Sequence, residues 1–161
     1  MKIRRAEKSD EASVWGIIGP IIRGGAEYAL DRDMSEADAL AYWYGPEKET
    51  WVAEVDGLVL GSYYLKANQA GGGRHVANCG YTVSGEARGR GIARAMCEHS
   101  LERAREAGFR AMQFNFVVAT NVRAVALWER MGFRTLTRLP GAFMHPDQGE
   151  VDALVMYQRL D

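Results

Sequence analysis

The sequence predicts a single mixed α/β domain, one sheet with helices packed against it. Three observations carry that expectation. Short strand-like runs rich in Val, Tyr, Phe and Trp alternate with runs whose apolar residues recur at helical spacing. Asp56-Gly57 joins two of the strand-like runs as a tight hairpin turn does. No linker or repeat divides the 161 residues, a normal length for one hydrophobic core.

The elements follow in order. Residues 2–6 suit a short strand. Ser9 or Asp10 can cap a helix through Val14, Trp15, Ile17 and Ile18. Pro20 should kink or break that helix, because its ring removes a backbone donor and crowds the preceding turn. Gly24-Gly25 interrupts next. Ser35 followed by Asp38 reads as a variant capping box, opening a helix to about Tyr44, which Gly45-Pro46 ends. Residues 51–55 and 58–65 form the hairpin about Asp56-Gly57, and 67–74 read as a glycine loop. A strand over 75–83, a turn over 85–91 and a helix to about Ala107 follow. The inner stripe of that helix is Ala93, Met96, Cys97, Leu101 and Ala104, and Gly108 closes it. Then come a strand over 111–118 and a helix over 121–131 with Ala124, Leu127, Trp128 and Met131 on one face. Strands over 134–139 and 151–160 complete the chain, joined by a loop holding Pro140, Gly141 and Pro146.

Composition narrows the function classes. Lys and Arg total 20 against 21 Asp and Glu, a net charge of -1, so nothing pulls the whole surface toward a nucleic-acid backbone. No run of 18 apolar residues exists, and the N-terminal MKIRRAEKSDEA is charged with no apolar stretch behind it. Neither a membrane span nor a signal peptide is expected, and a cytoplasmic location is. Cys79 and Cys97 form no CxxC and read as buried thiols rather than a disulfide or a nucleophile. His75, His99 and His145 show no ligand spacing, so no metal centre is expected.

The sharpest feature is the turn Gly85-Glu86-Ala87-Arg88-Gly89-Arg90-Gly91-Ile92-Ala93, which leaves a strand and enters a helix. Gly89 and Gly91 let the backbone turn tightly and approach a ligand. The first helical turn offers unpaired N–H groups and the positive dipole end, and Arg88 and Arg90 add charge. Such a turn suits a diphosphate. It lacks the Gly-Lys-Ser/Thr of a Walker A loop, and no βαβαβ half precedes it as in a dinucleotide fold.

In context the segment resembles the central Arg/Gln-x-x-Gly-x-Gly/Ala motif of the Gcn5-related N-acetyltransferases, read here from Arg88 to Ala93. The stretch from Asn121 through Ala124, Leu127 and Trp128 to Gly132-Phe133 resembles that family's second motif, in matching order and spacing. The resemblance implies a mixed, mostly antiparallel sheet splayed between strands 4 and 5 and flanked by about four helices, with acetyl-CoA in the opening. It implies that backbone N–H groups of Arg88, Gly89, Gly91 and Ala93 hold the pyrophosphate, with Arg90 beside them. The Tyr81 and Val83 backbones would pair with the pantetheine arm, and the N–H near Val83 would polarise the thioester carbonyl. Asn121 would contact the pantetheine and also suits an N-cap. Trp128 stands where many members have a Tyr that protonates the leaving thiolate. Indole has no such proton to give, so Trp128 is expected to pack in the core or along the cofactor. Members often dimerise, which makes a homodimer an admissible assembly.

On the acceptor side, Asn78 and Asn115 are polar residues within strand patterns. Each can satisfy a local sheet defect. Together at the cleft they would bind a carboxylate through their NH2 donors. The stretches Asn78-Cys79-Gly80-Tyr81 and Phe114-Asn115-Phe116-Val117, with Thr120-Asn121, resemble the branch acting on azetidine-2-carboxylate and related cyclic imino acids. There the matching asparagines hold the carboxylate and an aromatic matching Tyr81 flanks it. The implied reaction is direct attack of a small-molecule amine on the thioester. Glu27 is a candidate base or lid residue, with His75, Asp152 and a chain of water as alternatives. Asn78 and Tyr81 can share one cleft only if a β-bulge or strand twist near Cys79 or Gly80 breaks their alternation. Closure by segments 19–30 and 140–150 would favour a small acceptor over a protein or peptide amine, and a non-catalytic acyl-CoA sensor is a further alternative.

Overall fold

The computed structural model describes residues 1–161. Seven strands form one sheet: β1 (Lys2–Arg5), β2 (Glu49–Val55), β3 (Leu58–Ala67), β4 (Val76–Val83), β5 (Ala111–Val118), β6 (Arg134–His145) and β7 (Gly149–Arg159). Their spatial order is β1-β2-β3-β4-β5-β7-β6, antiparallel throughout except for the parallel pair β4–β5. The helices are α1 (Glu11–Gly24), α2 (Glu36–Trp43), α3 (Ile92–Glu106) and α4 (Val122–Arg130).

Strand alternation sorts the apolar residues onto two faces. Tyr63 and Leu65 of β3 face one cluster with Met96 and Leu101 of α3 and Trp128 of α4. Tyr64, between them, faces the other, with Ile18 of α1 and Trp43 of α2. The sheet is thus a middle layer with α3 and α4 on one side and α1 and α2 on the other.

Local signals set several ends. Ser35 accepts from the Asp38 N–H at 3.1 Å, the expected cap of α2. Asp56 and Gly57 both have positive φ, 52° and 78°, as a twisted hairpin turn requires. Asp10 does not cap α1 with its side chain. Its carboxylate instead accepts from Arg4 Nη1 and Nη2 at 2.8 and 2.9 Å and from the Glu7 N–H at 2.8 Å, tying β1 to the helix start.

Three expectations need correction. Pro20 does not break α1, which runs through it to Gly24. A helical proline costs about 3 kcal/mol. Burial of Val14, Ile17, Ile18 and Ile22 stabilises the same helix by about 1.5–3 kcal/mol each, so packing wins. The loop expected after residue 139 is mostly strand. Register with β7 shifts between Leu139 and Phe143, and this bulge absorbs Pro140 and Gly141 on an edge strand. Finally, β4 pairs with β3 without a shift from Val83 to Ala77, so no bulge lies near Cys79 or Gly80. The irregularity sits in β5, whose register with β7 slips between Phe114 and Val117. Gly80 keeps β4 regular by leaving room for Tyr64, whose Cε1 would lie 2.6 Å from an added Cβ.

Candidate active site

The parallel pair β4–β5 holds only at Val76–Ala111 and Ala77–Met112, and beyond it the strands part. At the fork the Asn78 Nδ2 donates to the Gln113 carbonyl at 2.9 Å. On the other side of β4, Asn68 N–H donates to Val76 O and Ser84 N–H to Leu60 O. That parity turns the backbone groups of even residues toward β3 and those of Tyr81 and Val83 into the gap. The Tyr81 carbonyl already accepts from the Tyr28 hydroxyl at 2.5 Å, so its N–H is the Tyr81 group left for another partner. Burial raises the pKa of the Tyr28 phenol and keeps it a neutral donor.

Below the gap the chain turns into α3. Gly89 and Gly91 take φ of 80° and 78°, and an added Cβ on either meets nothing within 4 Å. No side chain caps the helix, and its first backbone bond runs from Ala95 N–H to the Gly91 carbonyl. The N–H groups of Gly89, Gly91 and Ala93 therefore lack protein acceptors and border open space, with no acidic residue in the first turn. This cradle fits a diphosphate. Arg88 lines it and donates to Glu27 Oε1 at 3.0 Å, whereas Arg90 is exposed and lies outside the cleft.

The gap and the turn belong to one cleft of about 680 Å³. Asn121 caps α4 through an Oδ1 contact with the Ala124 N–H at 3.4 Å and also lines the cleft, so the two roles suggested for it coexist. Trp128 is buried, its ring 4.9 Å from Tyr81 and 5.2 Å from Phe114, centroid to centroid. It is a core aromatic whose edge reaches the cleft wall.

Asn78 and Asn115 line the same cleft. Asn115 Nδ2 donates to Asn68 Oδ1 at 2.7 Å, and its own Oδ1 accepts from Gln113 Nε2 at 2.9 Å. Each asparagine thus uses one amide hydrogen on the protein and keeps another. Tyr81 does not join them. With β4 regular, its side chain lies on the opposite face, where its hydroxyl meets Ser100 Oγ at 2.7 Å beneath α3. The aromatics on the asparagine side are Tyr28, Tyr42 and Tyr64, with the Tyr42 and Tyr64 hydroxyls 3.2 Å apart. Lys66 stands there too. These four escaped the sequence reading. The available signal was the alternation Tyr63-Tyr64-Leu65-Lys66, which sends a cation to the face of Tyr64.

Other candidates fall elsewhere. Asp152 is occupied by Arg138 and the Gly141 N–H, both at 2.9 Å, and neither it nor His75 lines the cleft. Cys79 and Cys97 are buried, and desolvation pushes the Cys97 thiol up to about 12 and Cys79 higher still, which suppresses nucleophilic thiolate. Segment 27–30 contributes to the cleft wall and segment 140–150 does not, so closure comes from one side only. No helix is long and apolar enough to cross a membrane.

A family described as acetyltransferase (GNAT) family matches residues 22–133. The chain is similar to the N-acetyltransferase aca1 of Schizosaccharomyces pombe, 29% identical over 151 residues spanning 83% of this chain and 72% of that one. Among solved structures it is similar to a GCN5-related N-acetyltransferase from Kribbella flavida, with 40% identity, a TM-score of 0.93, and 98% and 96% of the two chains covered. It also shares its fold with a GNAT superfamily phosphinothricin acetyltransferase from Sinorhizobium meliloti in complex with AcCoA. That match has 22% identity, a TM-score of 0.86, and covers 98% and 87% of the two chains.

Proposed function

From the premise that this chain belongs to the GNAT acetyltransferase family, we propose that it acetylates the amine of a small, carboxylate-bearing molecule. That it is an acetyl-CoA-dependent N-acetyltransferase follows from the family and its named N-acetyltransferase relatives.

One observation carries the acceptor class: Asn78 and Asn115 face a single cleft from either side of the fork, each with an amide hydrogen to spare. A carboxylate accepts such donors, whereas a protonated amine does not. Glu27 is the sole carboxylate in the cleft wall, and it is paired with Arg88. A lysine side chain, a peptide N-terminus or a polyamine would therefore find no free acid to hold it. An imino acid such as azetidine-2-carboxylate is a suitable first acceptor.

Acetyl-CoA supplies the acetyl thioester. The Gly89, Gly91 and Ala93 N–H groups take its diphosphate, with Arg88 beside them, and Asn121 and the Trp128 edge border the pantetheine path. The Val83 N–H faces the reacting carbonyl and stabilises negative charge developing on its oxygen, while the Tyr81 N–H pairs with the pantetheine arm. The neutral amine nitrogen forms a bond to the carbonyl carbon, the carbon–sulfur bond breaks, and the thiolate leaves. The amine loses its proton to water. Glu27 holds Arg88 in the diphosphate turn rather than acting as base. Positioning the amine against the thioester supplies much of the rate.

The test is an acetyl-CoA acceptor screen across imino acids, α-amino acids, polyamines and short peptides, repeated with Asn78→Ala and Asn115→Ala. The proposal expects imino or amino acids as acceptors, and an acceptor KM raised about 10-fold or more in each variant with acetyl-CoA affinity retained. Preferred turnover of polyamines or peptides by the parent enzyme would refute it.

A further inference from the structure

We propose that Lys66 is the counter-charge for the acceptor's anionic group, so that the pocket selects amines bearing a carboxylate over the matching carboxamides. The proposal rests on the acetyl-transfer reading above and deepens it by naming the residue that reads the charge.

Lys66 pairs across the strands with Asn78. It stands in the hydrogen-bonded register, where opposed Cα atoms are about 5.5 Å apart and side chains share a face. Asn78 forms the fork, so the Lys66 stem starts beside the amide that spans β4 and β5. Lys66 is half-buried and lines the cleft.

Its charge has no partner. No Asp or Glu oxygen lies within 4.0 Å of its ammonium, and it makes no hydrogen bond to the protein. The other cations near the cleft differ. Arg88 is held by Glu27 and Arg94 by Glu98. Lys48, behind the tyrosines, donates to the Tyr42 carbonyl and lies 3.5 Å from the Tyr42 ring centroid. Arg123 and Arg130 border the cleft from α4, on the far face of the sheet. On the asparagine face, Lys66 alone has a charge left to answer.

An unpaired ammonium in a cleft wall is available to a ligand anion. The cleft it lines also carries the Asn78 and Asn115 amides and the Tyr42 and Tyr64 phenols, none of which it hydrogen-bonds. An anion there would meet one full positive charge and the spare amide hydrogens of Asn78 and Asn115. A neutral carboxamide has the same shape and keeps an oxygen acceptor, but it gains none of the charge pairing. The discrimination therefore resides in Lys66, while the asparagines set orientation.

The test pairs each α-amino or imino acid, azetidine-2-carboxylate included, with its own carboxamide as acceptor. The ratio of kcat/KM for acid over amide is measured for the parent enzyme, Lys66→Met and Lys66→Arg. Thermal unfolding and acetyl-CoA binding are followed on each. The expected result is a parent preference for the acid that falls about 10- to 100-fold in Lys66→Met, through acceptor KM, and is largely kept in Lys66→Arg. A parent preference that survives intact in folded Lys66→Met overturns the role of Lys66 and leaves the carboxylate reading standing. If the parent itself shows no preference for acid over amide, the carboxylate reading falls, and the role of Lys66 with it.

Discussion

Replacing Gly91 by Ala separates backbone strain from the loss of a ligand cradle. Gly91 has φ of 78°, a region that costs an L-residue about 1–2 kcal/mol. For a domain of this size, 1 kcal/mol moves Tm by about 2–4 °C, so strain alone predicts a fall of about 2–8 °C. No collision adds to it, because the new Cβ meets nothing within 4 Å. Gly91 lines the same cleft as Gly89 and Ala93, whose N–H groups lack protein acceptors. A methyl group there should cost at least one charge-assisted hydrogen bond, about 1.5–3 kcal/mol, equivalent to a Kd for acetyl-CoA raised about 10- to 150-fold. Gly149 supplies the matched control. It has φ of 72°, equally open surroundings, and opens β7 just after the β6–β7 turn, outside the cleft. Gly149→Ala should lower Tm by the same amount and leave Kd where it was. Calorimetric titration with acetyl-CoA and scanning fluorimetry read both quantities. Equal Kd values for the two variants would refute the assignment of the turn as the diphosphate site.

Tyr81→Phe should cost about 1 kcal/mol through the lost Ser100 contact, about 2–4 °C in Tm, with acceptor KM unmoved. A raised acceptor KM at unchanged Tm would return the Tyr81 ring to the acceptor side. Trp128→Ala empties a buried aromatic site and should cost about 3–5 kcal/mol, lowering Tm by about 6–20 °C. An unchanged melting curve with weakened acetyl-CoA binding would mean that Trp128 is chiefly a cofactor wall. Hydrogen bonds from Arg4 hold the Asp10 carboxyl below the usual carboxylate range, so its stabilisation is complete above the unfolded pKa of about 3.9 and is lost as pH falls through the lower folded value. Asp10→Asn should therefore cost about 1.5–3 kcal/mol at neutral pH and flatten the loss of Tm below about pH 4. Parallel Tm–pH curves for parent and variant would contradict that.

What the chain determines by itself is what a few neighbouring residues decide. The Asp56-Gly57 turn, the Ser35 cap and the glycine curl before α3 follow from local sterics, where the presence or absence of a Cβ settles φ. Alternation and helical spacing likewise marked which segments are strands and which are helices, because those periods are properties of each element alone. The tertiary structure decided the rest. Pro20 is tolerated because burial along α1 outweighs a missing bond, and β6 extends because an edge strand with a bulge can absorb Pro140. The irregularity fell in β5, while in β4 Gly80 leaves room for Tyr64, a residue of another strand. Glu27 meets Arg88 across 61 positions, and Lys66, Asn78 and Asn115 reach one cleft from three strands. Such meetings depend on strand register and on where two strands part. These are set by the summed packing of distant segments, so a local pattern can give the face a residue occupies but not the partner it meets there.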